Sequence, residues 1–331
     1  MIKTTVVGSY PMFDWLAANP SLQALEDATM VVLKTQELAE IDVIADGELY
    51  RFDINHPETN GMIEYFVRPL GNVRSEVTRA DVVVFAKQEG MGFRVRPAAV
   101  VEGALHEGRL DLVNAYRSIR PLTKAALKFT ITGPHMLSKT LLDYHYKDLP
   151  SLANALAEVL AKQISEIDAD VVQIDEANLP GSPDEWEWAA SAINIMLDAV
   201  PNTPAVHLCF GNYGGQSVQQ GTWDKLISYM NALHTDHVVL EFAHRGYHEL
   251  EYFKDLKVGI GLGVVDVKST VIESPDLIAK RLEHAAKVLG DDRIRYIHPD
   301  CGFWMLKRSI ADAKIRALTL GRNLFEGRSS T

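Results

Sequence analysis

One strand–helix–strand unit decides the fold: LKFTIT at Leu127–Thr132, SLANALAEVLAKQISEI at Ser151–Ile167 and VVQID at Val171–Asp175. The two outer runs are nearly continuous in apolar residues, which is typical of parallel strands covered on both faces. The middle run has apolar residues at helical spacing and a helix-start signal at Pro150–Ser151. The unit therefore predicts a strand, a crossover helix and a second, parallel strand.

The same alternation continues along the chain. Six further strand-like runs are Thr4–Ser9, Ile41–Asp46, Ala205–Cys209, His237–Phe242, Val258–Val265 and Arg295–Asp300. Helix-like segments are Glu185–Val200, Gly221–Leu233, Ser274–Leu289 and Arg308–Phe325. Repetition this frequent favours an α/β fold, either a (βα)₈ TIM barrel or a doubly wound sheet. We predict the barrel, as a single domain over residues 1–331.

Residues 71–101 interrupt this rhythm. Val82–Ala86 and Phe93–Val101, joined through Gly90 and Gly92, predict a β-hairpin excursion. One strand of the hairpin could take the place of an outer run in the barrel. The pattern therefore leaves the assignment of barrel strands open by one.

Composition excludes several classes of protein. The chain has 331 residues, with 33 Lys and Arg against 44 Asp and Glu and a net charge of −11. An acidic balance argues against a general binder of nucleic acid or of anionic membranes. No apolar stretch approaches the roughly 18 residues of a membrane span, and the N-terminus lacks the apolar region of a signal peptide. We therefore expect a cytoplasmic protein without nucleic-acid or membrane partners.

The chain has two cysteines, too few for a disulfide scaffold. One bridge, two buried thiols or a metal-binding pair remain open on this count alone. Polar side chains, however, gather where the proposed strands end. They are Ser9, Asp46, Glu48, Asp175, Glu176, His207, Cys209, Glu241, Asp266, Asp300 and Cys301. In a barrel the carboxyl ends of the strands meet at one rim, where active sites form.

The cysteines lie among these strand-end residues. His207 and Cys209 are two residues apart on one strand and so point to the same side. Cys301 ends another strand, and Glu241 ends the strand between them. Two sulfurs, one nitrogen and one oxygen form a tetrahedral ligand set suited to zinc. The alternative interpretation is a buried structural cysteine beside a hydrogen-bonded core histidine.

Six short motifs occur in the order seen in one known family. They are GSYP (Gly8–Pro11), DGE (Asp46–Glu48), TGP (Thr132–Pro134), QIDE (Gln173–Glu176), HLC (His207–Cys209) and HPDCGF (His298–Phe303). Together they resemble the C-terminal catalytic barrel of cobalamin-independent methionine synthase, in a short single-barrel form. The resemblance covers residues 4 to 320.

The resemblance implies a zinc ion bound by His207, Cys209, Glu241 and Cys301. It also implies that Ser9, Glu48 and Asp175 hold an amino-acid thiol, with Ser9 on its carboxylate and the two acids on its ammonium. Taken singly, Glu48 and Asp175 could be paired surface acids, but their positions after strands favour contact with a ligand. Zinc deprotonates a coordinated thiol, and the resulting thiolate would attack an activated methyl group.

Two positions depart from the family pattern. Relatives have a histidine after the G-x-G-V-x-D run, which protonates the departing folate nitrogen; here Lys268 follows Asp266 at that place. Lys268 is therefore a candidate proton donor, with Asp266 as its neighbour, or else a solvated charge at the rim. Relatives also have a tryptophan after TGP that stacks on folate. This chain has no aromatic residue there before Tyr144 and Tyr146.

The leading functional hypothesis is zinc-dependent methyl transfer from methyltetrahydrofolate or a methylcorrinoid protein to homocysteine. A second is alkyl transfer to another thiol, such as a coenzyme-M-like acceptor attacking an alkyl or epoxide donor. A zinc hydrolase or a decarboxylase on a similar barrel is disfavoured, because two thiolates make the metal a poorer Lewis acid. A non-catalytic metal-binding accessory protein is the remaining alternative.

Overall fold

Eight parallel strands form one sheet that curves back on itself. The computed structural model describes residues 1–53, 59–88, 94–212, 216–217 and 219–328. The strands of these ranges are β1 (Lys3–Thr4), β2 (Val43–Ala45), β3 (Gly71–Arg74), β4 (Val100–His106), β5 (Ala126–Thr132), β6 (Leu142–Asp143), β7 (Val171–Glu176), β8 (Thr203–Leu208), β9 (His237–Leu240), β10 (Gly259–Val265) and β11 (Ile294–Pro299). The large sheet has the order β1-β11-β10-β9-β8-β7-β5-β2. A parallel bridge between Thr5 and Val43 connects its two ends, which closes the barrel.

The predicted (βα)₈ barrel is confirmed. Each of the eight predicted runs outside the excursion supplies one strand of the large sheet. The first strand is shorter than the run Thr4–Ser9, because the chain beyond Thr5 bonds to loops. The carbonyl of Ser9 accepts from the Phe303 amide at 2.8 Å, and the Tyr10 amide donates to the Gly47 carbonyl at 3.0 Å.

Helices connect the strands, and the longest of them pack around the barrel. They are α1 (Asp14–Ala18), α2 (Leu22–Leu38), α3 (Glu64–Val67), α4 (Arg79–Phe85), α5 (Leu112–Ile119), α6 (Pro134–Thr140), α7 (Leu149–Ile164), α8 (Trp186–Leu197), α9 (Ile227–Ala232), α10 (Pro275–Leu289) and α11 (Arg308–Phe325). The predicted start of α7 is a capped terminus, where the Asp148 side chain accepts from the Ser151 amide at 2.9 Å. Among the described residues, none of these helices is both long and apolar enough to cross a bilayer.

The excursion at 71–101 exists, but its predicted hairpin is wrong in detail. Val82–Ala86 was expected as a strand, yet Val82 to Phe85 belong to helix α4. Thr78 and Asp81 form a capping box at its start, and these paired caps outweigh the β-branched content of the run. Strand β3 instead pairs antiparallel with β4, and β4 pairs with β6. Phe93, Gly90 and Gly92 lie outside the described residues.

Alternate residues of the barrel strands point inward and form layers. Val171, Ala205, Val239 and Tyr296 belong to a small apolar cluster that is separate from the main core. Two residues further along β7, the same face carries Gln173, which is completely buried. Because side chains two residues apart face the same side, an apolar layer is followed by a polar layer nearer the carboxyl ends of the strands.

The loop after β10 is attached to helix α11 by one buried lysine. Lys314 Nζ donates to Glu273 Oε2 at 2.8 Å and to the carbonyls of Asp266 and Val271 at 2.9 and 2.5 Å. The Lys314 side chain has no solvent exposure, and that of Glu273 is 6% exposed. The helix thus fixes the segment that contains Asp266 and Lys268.

We predict that Lys314→Met lowers the free energy of unfolding by about 3–5 kcal/mol, because it leaves a buried carboxylate without its main partner. Chemical denaturation measures this change. Lys280→Met, at an exposed position of α10, is the matched control and should change stability by less than about 0.5 kcal/mol. A similar small change for both variants would contradict the anchoring role of Lys314.

Candidate active site

Two cysteines and a histidine meet at the carboxyl-end rim of the barrel. The ligand atoms of His207, Cys209 and Cys301 all lie within 4.8 Å of one another. His207 lies at the end of β8, Cys209 follows that strand, and Cys301 follows β11. His207 and Cys209 are 2% and 3% exposed. The cysteines are free thiols, so the bridge left open by the cysteine count is not formed.

The His207 ring is held so that one nitrogen is available. Its Nδ1 lies 3.0 Å from the carbonyl oxygen of Val239, to which Nδ1–H donates. Its Nε2 is buried and has no oxygen or nitrogen partner within the described ranges. A histidine fixed through one nitrogen by a backbone carbonyl, with the other directed at two sulfurs, is typical of metal ligands.

A hydrogen bond joins the two thiols. A hydrogen bond from Cys209 lowers the pKa of Cys301 well below its usual value, against the effect of burial, and His207 lowers it further. The same hydrogen bond and burial raise the pKa of Cys209. Cys301 is therefore the more acidic of the two thiols.

Glu241 lies beside this cluster and pairs with Lys268. Lys268 Nζ is 2.8 Å from Glu241 Oε2, and neither side chain has any solvent exposure. Burial lowers the pKa of Lys268, but the charge and hydrogen bond of Glu241 and the charges of the two cysteines together outweigh burial, so the net shift is upward. Of the four predicted ligands, the structure groups three and places the fourth, Glu241, in an ion pair.

A buried carboxylate shapes the loop after Glu241. Asp300 accepts hydrogen bonds from the amides of Phe242, Ala243 and His244 at 2.9, 2.9 and 2.7 Å. Because Asp300 immediately precedes Cys301 in the chain, the hydrogen bonds that order the loop after Glu241 also fix the backbone beside the cysteine. Burial raises the pKa of Asp300 to about 7, and the nearby Glu241 charge acts in the same direction.

Glu48 and Ser9 lie on neighbouring loops at the rim. Glu48 has a left-handed backbone with φ 60° and accepts a hydrogen bond from the Thr130 hydroxyl at 2.6 Å. A Cβ atom at Gly8 would lie 2.1 Å from Glu48 Oε1, and one at Gly302 would lie 1.9 Å from Ser9 Oγ. A side chain at either glycine would therefore displace Glu48 or Ser9 from its place at the rim.

Asp175 is oriented by a chain of buried hydrogen bonds. Gln173 Nε2 donates to Asp175 Oδ1 at 2.8 Å, and Gln173 Oε1 accepts from Lys128 Nζ at 2.8 Å. Burial lowers the pKa of Lys128 to about 7 and raises that of Asp175 to about 7. Asp175 is also the register partner of His207 across β7 and β8. The predicted substrate-binding acid therefore adjoins the thiol–imidazole cluster.

Sequence reasoning missed a histidine on the loop after β9. His244 Nδ1 lies 3.1 Å from Asp266 Oδ2, and the His244 side chain is 41% exposed. The other oxygen of Asp266 accepts from the Lys268 amide at 2.8 Å. Asp266, singled out from the sequence, thus joins His244 to the Lys268 segment. The only signal in the sequence is a histidine three residues after Glu241.

The Glu176 carboxylate holds the start of the segment after TGP. Both oxygens of Glu176 accept from the start of α6, one from the His135 amide at 2.9 Å and one from the Met136 amide at 3.0 Å. The hydroxyl of Tyr144 bonds to Asp81 at 3.1 Å, and that of Tyr146 accepts from the Leu105 amide at 2.9 Å. The hydroxyls of the two tyrosines considered as replacements for the missing tryptophan are thus bonded to α4 and β4.

Fold and site together define a class: a (βα)₈-barrel enzyme whose rim presents thiol and imidazole donors. A family model described as "Cobalamin-independent synthase, Catalytic domain" matches residues 2–320. The chain belongs to this family, which confirms the resemblance and makes the protein a methyltransferase.

Curated relatives and solved structures agree with this membership. The chain is 27% identical to "Methionine synthase" of Sulfurisphaera tokodaii, covering 98% of this chain and 92% of the relative. It is 28% identical to "Methionine synthase" of Thermococcus kodakarensis, covering 97% and 92%. A solved structure of a B12-independent methionine synthase from Shewanella sp. W3-18-1, in complex with selenomethionine, superposes with a TM-score of 0.82 at 24% identity. The superposition covers 99% of this chain and 98% of the Shewanella chain. At that identity the superposition supports the barrel fold.

Glu176 generates a prediction about pH. Burial raises its pKa from 4.5 to about 8, so the folded state binds this proton more tightly than the unfolded chain does. The resulting stabilisation is complete below about pH 4.5 and is lost as pH rises through 8. We predict that the stability advantage of the wild type over Glu176→Gln declines across this interval.

Denaturation curves at several pH values between 4.5 and 9 measure the difference. Glu187→Gln, an exposed replacement in α8, controls for the general effect of losing a carboxylate. An advantage over Glu176→Gln that grows with pH would contradict the assigned direction.

Proposed function

We propose that the protein transfers a methyl group to the sulfur of homocysteine, with the thiol activated on a zinc ion. One observation carries the proposal: His207, Cys209 and Cys301 converge within 4.8 Å at the rim of a barrel of this methyltransferase family. Methionine is the product that the names of the curated relatives suggest.

The donor set fits zinc. Two sulfurs and one imidazole nitrogen are the soft and borderline ligands that zinc prefers. The orphaned, buried Nε2 of His207 is the atom that a metal would engage. Glu241 is the proposed fourth ligand, and Lys268 lies on its carboxylate at 2.8 Å. When bound, zinc would supply a substrate thiolate at neutral pH.

The charges around the site favour a ligand set of this kind. Two thiolates and the Glu241 carboxylate with a divalent ion give 2 − 3 = −1. The buried Lys268 ammonium brings the local sum to zero before substrate enters. Such compensation stabilises three anionic groups in a buried place, where an unpaired charge is costly.

Asp175 and Glu48 are proposed to receive the substrate ammonium, and Ser9 its carboxylate. Burial raises the pKa of Asp175 to about 7, so an arriving cation would favour the ionised form. A sulfonate thiol of the coenzyme-M type has no ammonium for these acids. Their presence therefore favours an amino-acid thiol over the coenzyme-M-like alternative, and membership of a methyltransferase family speaks against an accessory protein without activity.

Metal analysis tests the ligand assignment. We expect about one zinc per chain in the purified protein, and Cys301→Ala should lose zinc and methyl transfer together, because a three-ligand remnant binds weakly. Ser165→Ala, at an exposed position after α7, is the control and should keep both. Full zinc occupancy in Cys301→Ala would refute the proposed ligand set.

Substrate analogues test the ammonium site. Asp175→Asn should raise KM for homocysteine about 10- to 100-fold, as expected for loss of a charge-assisted hydrogen bond. It should change KM much less for 4-mercaptobutyrate, which lacks the amino group. Asp184→Asn, at an exposed position beyond β7, is the matched control. An equal effect of Asp175→Asn on both thiols would contradict the assignment.

A further inference from the structure

His244 and Asp266 form a polar pair at the rim, next to the residues proposed to bind metal. His244 Nδ1 is 3.1 Å from Asp266 Oδ2. The pair is held from both sides, because the His244 amide donates to Asp300 at 2.7 Å and Asp266 Oδ1 accepts from the Lys268 amide at 2.8 Å. Asp300 precedes Cys301, and Lys268 contacts Glu241, so both attachments lead directly to the cluster.

Lys268 is poorly placed to give a proton to a ligand. Its Nζ is in the ion pair with Glu241 at 2.8 Å, and its side chain has no solvent exposure. Lys268, the proton donor suggested by the family resemblance, is thus held in an ion pair with Glu241.

The His244 ring has the opposite character. Asp266 accepts a hydrogen bond from Nδ1–H of His244. The other ring nitrogen, Nε2, therefore faces away from the carboxylate, on a side chain that is 41% exposed. An imidazole oriented by a carboxylate through one nitrogen, with the other nitrogen accessible, is the arrangement of a general acid or base.

Other histidines near the barrel axis lack this accessibility. His298 and His237 are completely buried, and His207 is 2% exposed within the thiol cluster. His135 is buried and bonded to Glu185 at 2.6 Å. Among these and His244, only His244 combines an acidic partner with an open ring nitrogen.

We propose that His244, oriented by Asp266, donates the proton that the departing nitrogen of an N-methyl donor needs. This inference rests on the proposed methyl transfer and assigns a further catalytic residue to it. In the step, a bond forms between the substrate sulfur and the methyl carbon while the carbon–nitrogen bond breaks. The electron pair of that bond stays on nitrogen, which takes the proton from Nε2 of the imidazolium. The neutral imidazole then regains a proton from solvent.

A comparison of two methyl donors tests the proposal. An amine that leaves from methyltetrahydrofolate must be protonated, whereas the cobalt of methylcobalamin leaves without a proton. His244→Gln should therefore lower kcat about 10²- to 10⁴-fold with methyltetrahydrofolate, the usual contribution of a general acid. Turnover with methylcobalamin should stay at the wild-type rate, and zinc content should be unchanged.

The chain offers a matched control. His234 pairs with Asp198 at 2.8 Å, and these side chains are 59% and 62% exposed. His234→Gln removes the same kind of pair at a site ahead of β9, far along the strand direction from the rim, and should leave both reactions unchanged. In His244→Gly, added imidazole should restore turnover with methyltetrahydrofolate, because the ring occupies an accessible place.

Four outcomes would overturn the proposal. Equal loss with both donors would show a structural role for His244, and no loss with either would show no role. A wild type that uses methylcobalamin but not methyltetrahydrofolate would also refute it, while leaving methyl transfer to the thiol intact. A selective loss with methyltetrahydrofolate in Lys268→Met, but not in His244→Gln, would return the donor role to Lys268.

Discussion

The structure depends on a single constraint, the period of two in parallel strands closed into a barrel. Side chains two residues apart point to the same side of a strand, so each inward-facing row rises from the floor of the barrel to its rim. On β7 this row is Val171, Gln173 and Asp175, which changes from apolar to neutral polar to acidic. On β8 and the loop beyond it, Ala205, His207 and Cys209 form the corresponding row. The register that pairs Asp175 with His207 joins the two rows at the rim.

Burial then determines the chemistry that these rows present. Inside the barrel, water cannot stabilise charge, and the pKa of Lys128 falls to about 7 while the pKa of Asp175 rises to about 7. The neutral amide of Gln173 connects the two at 2.8 Å on each side, so the chain is hydrogen-bonded without a buried unpaired charge. Near the cysteines, the same requirement is met by the ion pair of Glu241 and Lys268. At both places the buried acidic groups thus have a hydrogen-bond or ion-pair partner.

Much of the fold could be predicted, because each barrel strand is a nearly continuous apolar run and that signal is local. Val82–Ala86 has the same composition, but the capping pair Thr78 and Asp81 just ahead of it directs the chain into a helix. At the site, the convergence of His207, Cys209 and Cys301 followed from strand ends alone. The partners of Lys268 and His244 could not be predicted in this way, since each contact joins two different loops. Glu241 and Lys268 are 27 residues apart, and His244 and Asp266 are 22 apart.

Those loops contain little regular secondary structure, so hydrogen bonds other than those of helices and strands must hold them in place. Backbone amides buried without a partner are costly, and in these loops three carboxylates supply the acceptors. Asp300 receives three consecutive amides after Glu241, and Asp266 receives the Lys268 amide while its own amide donates to Glu273 at 2.8 Å. Glu273 in turn is held by Lys314 on α11. The position of the His244 ring is therefore set by a continuous set of hydrogen bonds from an outer helix to the rim. The Asp266 carboxylate acts on both loops: one oxygen accepts a hydrogen bond from the Lys268 amide, and the other orients the His244 imidazole.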